Sequence, residues 1–232
     1  MLGDKLNFAN MAKAGAAALT ILAGSAAMAD VAGDRLCGSG ANASICFASV
    51  DRAGKVSAAK RAKLAAAAPV AIDIVSSPQF AAELAAFHAA MPADWVAGNR
   101  YWRGFDAAQA TAATRVAFGG LHIDTIGGLR ARFSSAFAGN LAYEGTTDDR
   151  TGERNILLNR YRLDRPLGAL VNTYVHEAAH KGGYSHGDDQ TEDQKCEPPY
   201  VMGQLAQKLA EPDKWPSFAA SKNACRFWRQ VR

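Results

Sequence analysis

Apolar residues between positions 54 and 116 recur mostly at helical spacing. The segment SSPQFAAELAAFHAAM, residues 76–91, has a proline early in its first turn and apolar residues three and four positions apart, which predicts a helix. A similar pattern in DAAQATAATRVAF, residues 106–118, predicts a second helix. The aromatic residues between these segments, at positions 95–105, stand in a composition typical of a loop. This part of the chain is therefore expected to be helical.

The pattern changes after residue 128. Three segments have strand-like composition: LRARFSSAF at 129–137, LAYEG at 141–145 and RNILLNRYRL at 154–163. The sequence TTDDRTGE between the last two segments is rich in turn formers. A small sheet is therefore expected ahead of the next helix.

A third amphipathic segment follows Asp164, a suitable helix N-cap, with Pro166 close to the first helical position. Its apolar stripe consists of Leu167, Leu170, Val171, Tyr174, Val175 and Ala178. At about 100° per residue, His176 and His180 fall together on the opposite side, near Thr173. Two histidines one turn apart on that side can reach a single metal ion, whereas a core histidine is expected on the apolar stripe.

Composition and charge narrow the class of protein. The chain has 232 residues, 49% of them hydrophobic, which is enough for one well-buried core in one domain. Its 26 basic and 22 acidic residues give a formal net charge of +4 and form no long single-sign block. No nucleic-acid partner is therefore expected. The most basic segment, residues 52–68, is Ala-rich and typical of a solvated helix face.

Residues 1–29 have the pattern of a signal peptide. Lys5 and Lys13 give a positively charged region, and an apolar stretch follows them. A small-residue A-x-A cleavage site comes next, at positions 27–29. Met11 is an alternative start that leaves a more compact positive region. The apolar stretch is shorter than the roughly 20 residues needed to span a bilayer. We therefore expect cleavage, and no membrane anchor afterwards.

The four cysteines agree with export, because all of them follow the predicted cleavage point. An even number of cysteines in an oxidising compartment usually forms disulfides. Three connectivities are possible, and proximity favours Cys37 with Cys46 and Cys196 with Cys225. We therefore expect a secreted or periplasmic protein whose mature form is a single domain of residues 30–232.

The segment HEAAHKGGYSH, residues 176–186, contains three of the chain's five histidines. Neutral imidazole is a good zinc ligand, and a catalytic site needs three protein ligands and a fourth position for water. His176, His180 and His186 can supply the three ligands, since the Gly-Gly pair can end the helix and turn the chain back. Glu177 is expected to be the general base that accepts a proton from the bound water.

This segment resembles the metzincin zinc-peptidase signature HExxHxxGxxH at every specified position. Together with the elements above, the resemblance predicts an α+β, zincin-like fold: a helical N-terminal part, a small mixed sheet and an active-site helix carrying HExxH. It also implies a methionine turn beneath the metal, for which Met202 is the candidate; the helix-like segment VMGQLAQKLA that contains Met202 equally fits a plain core residue. The strand at 154–163 would bind an extended peptide along its edge. The resemblance covers about residues 154–203.

The stretch HGDDQTEDQKCEPPYVMGQLAQ also resembles the aspzincins, which include the deuterolysin-like and lysine-specific metalloendopeptidases. In this alternative Asp188 or Asp189 replaces His186 as the third ligand, and the Tyr200 hydroxyl stabilises the oxyanion. The histidine spacing favours the metzincin interpretation, and the chemistry is the same in both.

The sequence thus predicts an exported zinc-dependent metalloendopeptidase that acts on peptides or proteins, with Zn²⁺ as its cofactor. One alternative is a non-catalytic binding or structural protein that zinc stabilises. Glu177 argues against it, because a structural site needs no base beside its ligand. Another alternative is a zinc hydrolase of a non-peptide bond. His88 and His122 stand alone in the sequence and are expected to be structural.

Overall fold

The computed structural model describes residues 36–47, 56–126, 155–160, 163–187 and 196–212, all within one compact unit, Val31–Arg232. In chain order, the described elements are β1 (Leu36–Cys37), β2 (Cys46–Phe47), α1 (Ala58–Val75), α2 (Pro78–Ala90), α3 (Ala93–Gly98), α4 (Ala107–Ala117), β3 (His122–Ile126), β4 (Asn155–Asn159), α5 (Leu167–Lys181) and α6 (Pro198–Ala210). In broad terms the fold is α+β, mostly helical with a small sheet. The predicted signal peptide lies outside the described residues and stays a prediction.

The predicted helical region is confirmed by α1 to α4. Three of these helices begin at side-chain caps: the side chains of Ser57, Ser77 and Asp106 accept the main-chain N–H of the third residue that follows, at 3.4, 3.2 and 2.7 Å. The prediction of a loop at 95–105 is wrong in part, because α3 extends into it. Pro92 precedes α3 and the main-chain N–H of Asn99 closes it.

The first helix buries one side and exposes alanines on the other, and its basic residues are partly buried. Its buried residues are Leu64, Ala67, Ala68, Ala71, Ile72 and Val75. The Lys60 ammonium is partly exposed and lies 3.7 Å from the carboxylate of Asp164. The expected solvated face is therefore confirmed only in part for the described residues of 52–68, because the exposed positions carry small side chains and the basic ones are partly buried. Within the described ranges no single helix is long and apolar enough to cross a membrane. Helices α1 and α2 are together long and apolar enough for a span, but the chain bends by 65° at their junction.

The first two strands form an antiparallel hairpin that the Cys37–Cys46 disulfide closes, which confirms the predicted pairing. Asp73 on α1 holds the hairpin. Its carboxylate accepts the Ser39 N–H at 2.8 Å, the Ser39 hydroxyl at 2.7 Å and the Asn42 amide at 3.0 Å. The hairpin is thus attached to the helical core by hydrogen bonds as well as by packing.

Strands β3 and β4 pair in parallel, from His122 opposite Asn155 to Ile126 opposite Asn159. The predicted strand at 154–163 is confirmed over the length of β4. Strand β3 was not predicted, because His122 was considered only as a lone histidine. The other two predicted strands, 129–137 and 141–145, lie outside the described residues.

The start of α5 differs from the prediction. The helix begins at Leu167, with Pro166 rather than Asp164 at its N-cap. Asp164 is highly exposed, and its carboxylate lies near Lys60 instead of accepting a helix N–H. Pro166 enters the helix in extended geometry, with φ −54° and ψ 153°, and it has no side-chain acceptor to offer.

Helix α5 is buried on more sides than its apolar stripe predicts. It packs against α1 and α4 on the one hand and against α6 on the other. The predicted stripe is largely buried, but Thr173, Glu177 and Ala179 are buried too. The side carrying His176 and His180 therefore faces protein instead of open solvent, and both histidines are partly buried.

Candidate metal centre

The end of α5 turns the chain back toward its own last turn. Gly182 caps the helix and Gly183 has φ +96°, a left-handed conformation that glycine adopts without steric cost. The N–H of Gly183 donates to the carbonyl of His180 and the N–H of Tyr184 donates to that of Ala179, both at 3.0 Å. These two bonds form a Schellman motif. The predicted role of the glycine pair is confirmed.

This turn brings the three histidines of the motif together. The Nε2 atom of His180 lies 3.1 Å from that of His176 and 3.2 Å from that of His186, and the latter two are 3.2 Å apart. The three nitrogens therefore form a nearly equilateral triangle. Among the described residues they are the only group of three or more His, Cys, Asp or Glu side chains whose ligand atoms converge in this way.

The other ring nitrogens show which tautomer His180 and His186 adopt. A carbonyl oxygen only accepts, so Nδ1–H of His180 donates to the Tyr184 carbonyl at 2.9 Å and Nδ1–H of His186 donates to the Gly187 carbonyl at 2.8 Å. A hydrogen bond with the backbone of Pro199, whose only polar group is its carbonyl, acts to raise the pKa of His176. With the Nδ1 protons of His180 and His186 used in this way, the Nε2 atoms of these two rings direct lone pairs into the cluster.

Burial keeps the rings of His176 and His180 neutral. It lowers the pKa of His176 well below its ordinary value, and the nearby rings of His180 and His186 lower it further. Burial also lowers the pKa of His180 to about 4, with His186 adding to the effect. Neutral imidazole is the form that binds metal ions.

The geometry fits a metal ion bound by three nitrogens. In a tetrahedral zinc site with Zn–N bonds of 2.0–2.1 Å, neighbouring ligand nitrogens lie about 3.3 Å apart. The observed separations of 3.1–3.2 Å are close to that value. Three lone pairs at this distance repel one another unless a cation lies among them. Imidazole donors suit zinc, copper, iron and nickel, so the donor set by itself does not choose the metal.

Glu177 lies on α5 directly after His176, about 100° further round the helix. It is only 2% exposed. A buried carboxylate needs hydrogen bonds or positive charge around it, and a divalent cation bound by the histidines would supply such charge. Glu177, the predicted base, is thus a buried residue of the helix that carries His176 and His180.

The first turn of α6 completes the surroundings of the cluster. The Tyr200 ring packs against the rings of His176 and His186, with centroids 4.6 and 4.5 Å away. The carboxylate of Glu197, 6% exposed, accepts the N–H of Gly187 at 2.7 Å. From the sequence, Tyr200 was considered only for its hydroxyl, as a group that stabilises the oxyanion, and Glu197 was not considered as part of the site. Two prolines after a glutamate give a helix-start signal, but they do not reveal which loop that helix will contact.

Several predicted residues lie elsewhere or outside the described ranges. Met202 is buried within α6, so it is helical and does not lie in a tight turn. Asp188 and Asp189, the alternative ligands, lie outside the described residues. Cys196 is disulfide-bonded, while its predicted partner, Cys225, also lies outside them.

The two other histidines lie away from the cluster. His88 stacks on the Trp102 ring at 5.4 Å and meets the edge of Phe105 at 5.2 Å. His122 begins strand β3.

Searches against protein-family models, curated proteins and solved structures returned no match to this chain.

Proposed function

We propose that the protein is an exported zinc-dependent metalloendopeptidase, secreted or periplasmic, in which His176, His180 and His186 bind Zn²⁺. The observation that carries this proposal is the triangle of three Nε2 atoms 3.1–3.2 Å apart, with the rings of His180 and His186 each oriented by a hydrogen bond to a main-chain carbonyl. Metal-binding histidines in proteins almost always use their second nitrogen in this way.

A catalytic role is favoured over a purely structural one by the donor set. Structural zinc sites are usually closed by four ligands, commonly including cysteine, whereas catalytic sites leave one position to water. Three histidines converge among the described residues, and Glu177 stands beside the first of them. A zincin-like fold belongs to the same proposal, supported by the HExxH motif on a helix and by strand β4 ahead of it in the chain.

Each residue then has a defined task in hydrolysis. The histidines would hold the ion through Nε2, and the Nδ1–H groups of His180 and His186 keep their rings oriented. A bound zinc ion would supply Lewis acidity, lowering the pKa of a coordinated water to about 7 and polarising a carbonyl oxygen. The Glu177 carboxylate accepts the proton of the attacking water and delivers it to the leaving amine nitrogen. One water is added, one C–N bond breaks, and a carboxylate and an amine result.

The test is the variant Glu177→Gln, which keeps the size of the side chain but removes its basic carboxylate. Peptide hydrolysis per bound zinc should fall by about 100- to 10,000-fold, because that is the usual contribution of a general base. Zinc content should stay the same. Glu211→Gln is the matched control, since Glu211 lies at the far end of α6, and it should retain both activity and zinc.

The outcomes separate the alternatives. If Glu177→Gln hydrolyses peptides as fast as the wild type, Glu177 is not the base. If the wild-type protein binds zinc but cleaves nothing in a broad peptide library, the protein is a zinc-stabilised binding or structural protein. Cleavage of ester or other non-peptide substrates alone would assign it to the third class considered above.

A further inference from the structure

A chain of two hydrogen bonds connects α6 to the third histidine of the cluster. The Glu197 carboxylate accepts the Gly187 N–H at 2.7 Å, and the Gly187 carbonyl accepts Nδ1–H of His186 at 2.8 Å. Both main-chain polar groups of one residue are therefore used between Glu197 and the imidazole. A hydrogen bond to a carboxylate is shorter and stronger than one between neutral groups.

Glu197 is itself held firmly. It follows Cys196, which is disulfide-bonded and whose carbonyl accepts the buried Trp102 indole N–H at 2.8 Å. It precedes Pro198 and Pro199, whose rings restrict the backbone at the start of α6. A buried carboxylate on so constrained a segment can fix the position of a loop that touches it.

We infer that Glu197 is a positioning residue for His186 and thereby sets the metal affinity of the cluster. The inference rests on the proposed metal centre. His186 lies in the loop after α5, so no helix fixes its backbone, and its ring is held by the hydrogen bond to the Gly187 carbonyl together with packing against Tyr200. Without the Glu197 contact the loop samples more conformations, and binding must then order it at a cost in free energy.

The experiment compares three substitutions at one position. Glu197→Met fills similar buried space but cannot accept the Gly187 N–H, Glu197→Ala removes the side chain, and Glu197→Gln keeps an acceptor oxygen while losing the charge. Zinc affinity of the purified full chain is measured by competition with a chelator. Loss of a hydrogen bond that orients a metal ligand typically lowers metal affinity about 10- to 100-fold. We expect this decrease for Glu197→Met and Glu197→Ala, whereas Glu197→Gln should retain most of the wild-type affinity.

Cobalt supplies a second readout. Co²⁺ in place of zinc has an absorption spectrum that depends on ligand geometry, so Glu197→Met should alter the spectrum while Glu197→Gln leaves it close to wild type. In a His186→Ala background, Glu197→Met should cause no further loss of affinity, because Glu197 acts through His186. Glu211→Ala, at the other end of α6, is the control and should change neither affinity nor spectrum.

Clear results would overturn the inference. Unchanged zinc affinity and an unchanged cobalt spectrum in a folded Glu197→Met protein would show that the contact does not matter. An equal loss with and without His186 would show that Glu197 acts elsewhere. Circular dichroism of the metal-free variants checks folding, and if Ala fails to fold, the Met and Gln pair still decides. These readouts need no peptidase activity, so failure of the proposed enzymatic function is distinguishable from failure of this inference.

Discussion

Two of the three histidines are positioned by a helix and the third by a loop. His176 and His180 lie one turn apart on α5, so helix geometry alone places both rings on one side. His186 lies in the loop that follows, and it reaches them through a left-handed glycine at Gly183 and through the contact of Glu197 with Gly187. The helical pair is therefore encoded locally, whereas the position of the loop histidine depends on parts of the chain that lie further along the sequence.

Replacing one of the three histidines by alanine is expected to have the largest effect on zinc affinity. Zinc binding in structural sites is worth about 10–16 kcal/mol over four ligands, so one ligand accounts for roughly 3–4 kcal/mol, or about 100- to 1,000-fold in affinity. We expect losses of this order for His176→Ala, His180→Ala and His186→Ala alike, measured by zinc titration. The loop ligand should thus matter as much as the helical pair once it is in place.

Asp188→Ala and Asp189→Ala are the controls for the loop ligand. Both should retain most of the zinc affinity if His186 is the third ligand. The reverse result, with tolerance of His186→Ala and loss on changing one aspartate, would support the aspzincin alternative. Tolerance of all three substitutions would mean that the third ligand is a different residue.

The locally encoded features are the ones that the sequence predicted well. The bounds of α2 and α4 follow from the spacing of apolar residues, and the glycine pair ends α5 as expected. The convergence of three histidines also follows from spacing within one short segment. Each of these features depends on residues at most about a dozen positions apart, where backbone geometry limits the possibilities.

The features that the sequence did not predict depend on distant contacts. Strand β3 pairs with β4, which lies about thirty residues further along, and a parallel pair of this kind leaves no turn signal. The contact of Glu197 with Gly187 depends on how α6 packs against α5. Asp164 has the chemistry of an N-cap, but it lies near Lys60, and Pro166 begins the helix instead. Local preference is overridden in such cases by tertiary packing.

Acid should weaken the metal-free fold through the helical pair. The folded pKa of His180 is about 4, below the ordinary 6.5, and that of His176 is lowered in the same direction. The unfolded chain therefore binds more protons than the folded chain between pH 6.5 and 4, so the free energy of unfolding falls as the pH falls through this window. The slope is up to about 1.4 kcal/mol per pH unit for each such histidine.

Urea denaturation of the metal-free protein at pH 7, 5.5 and 4.5 measures this effect. His180→Asn removes one titrating group and should lose less stability between pH 6.5 and 4 than the wild type does. An identical pH dependence in the two proteins would contradict the expected link between burial of His180 and acid sensitivity.

A smaller effect is expected from Gly183→Ala, which tests whether the left-handed turn at Gly183 is needed to bring His186 to the other two histidines. With φ at +96°, alanine at this position is strained, and left-handed conformations cost residues with a Cβ about 1–2 kcal/mol. The space around Gly183 is open, so strain and not a clash is the source of the effect. The substitution should lower the unfolding free energy by about that amount. It should also weaken zinc binding, because the turn supports the Tyr184 carbonyl that orients His180.

Gly120→Ala is the matched control for that substitution. Gly120 has φ +81° and open space around it, but it lies between α4 and β3, outside the turn that returns His186 to the cluster. Both variants should lose similar unfolding free energy in urea, while only Gly183→Ala should lose zinc affinity. Equal zinc affinities in the two variants would show that the left-handed turn is needed for stability alone, and that contacts such as the one from Glu197 suffice to place the third histidine.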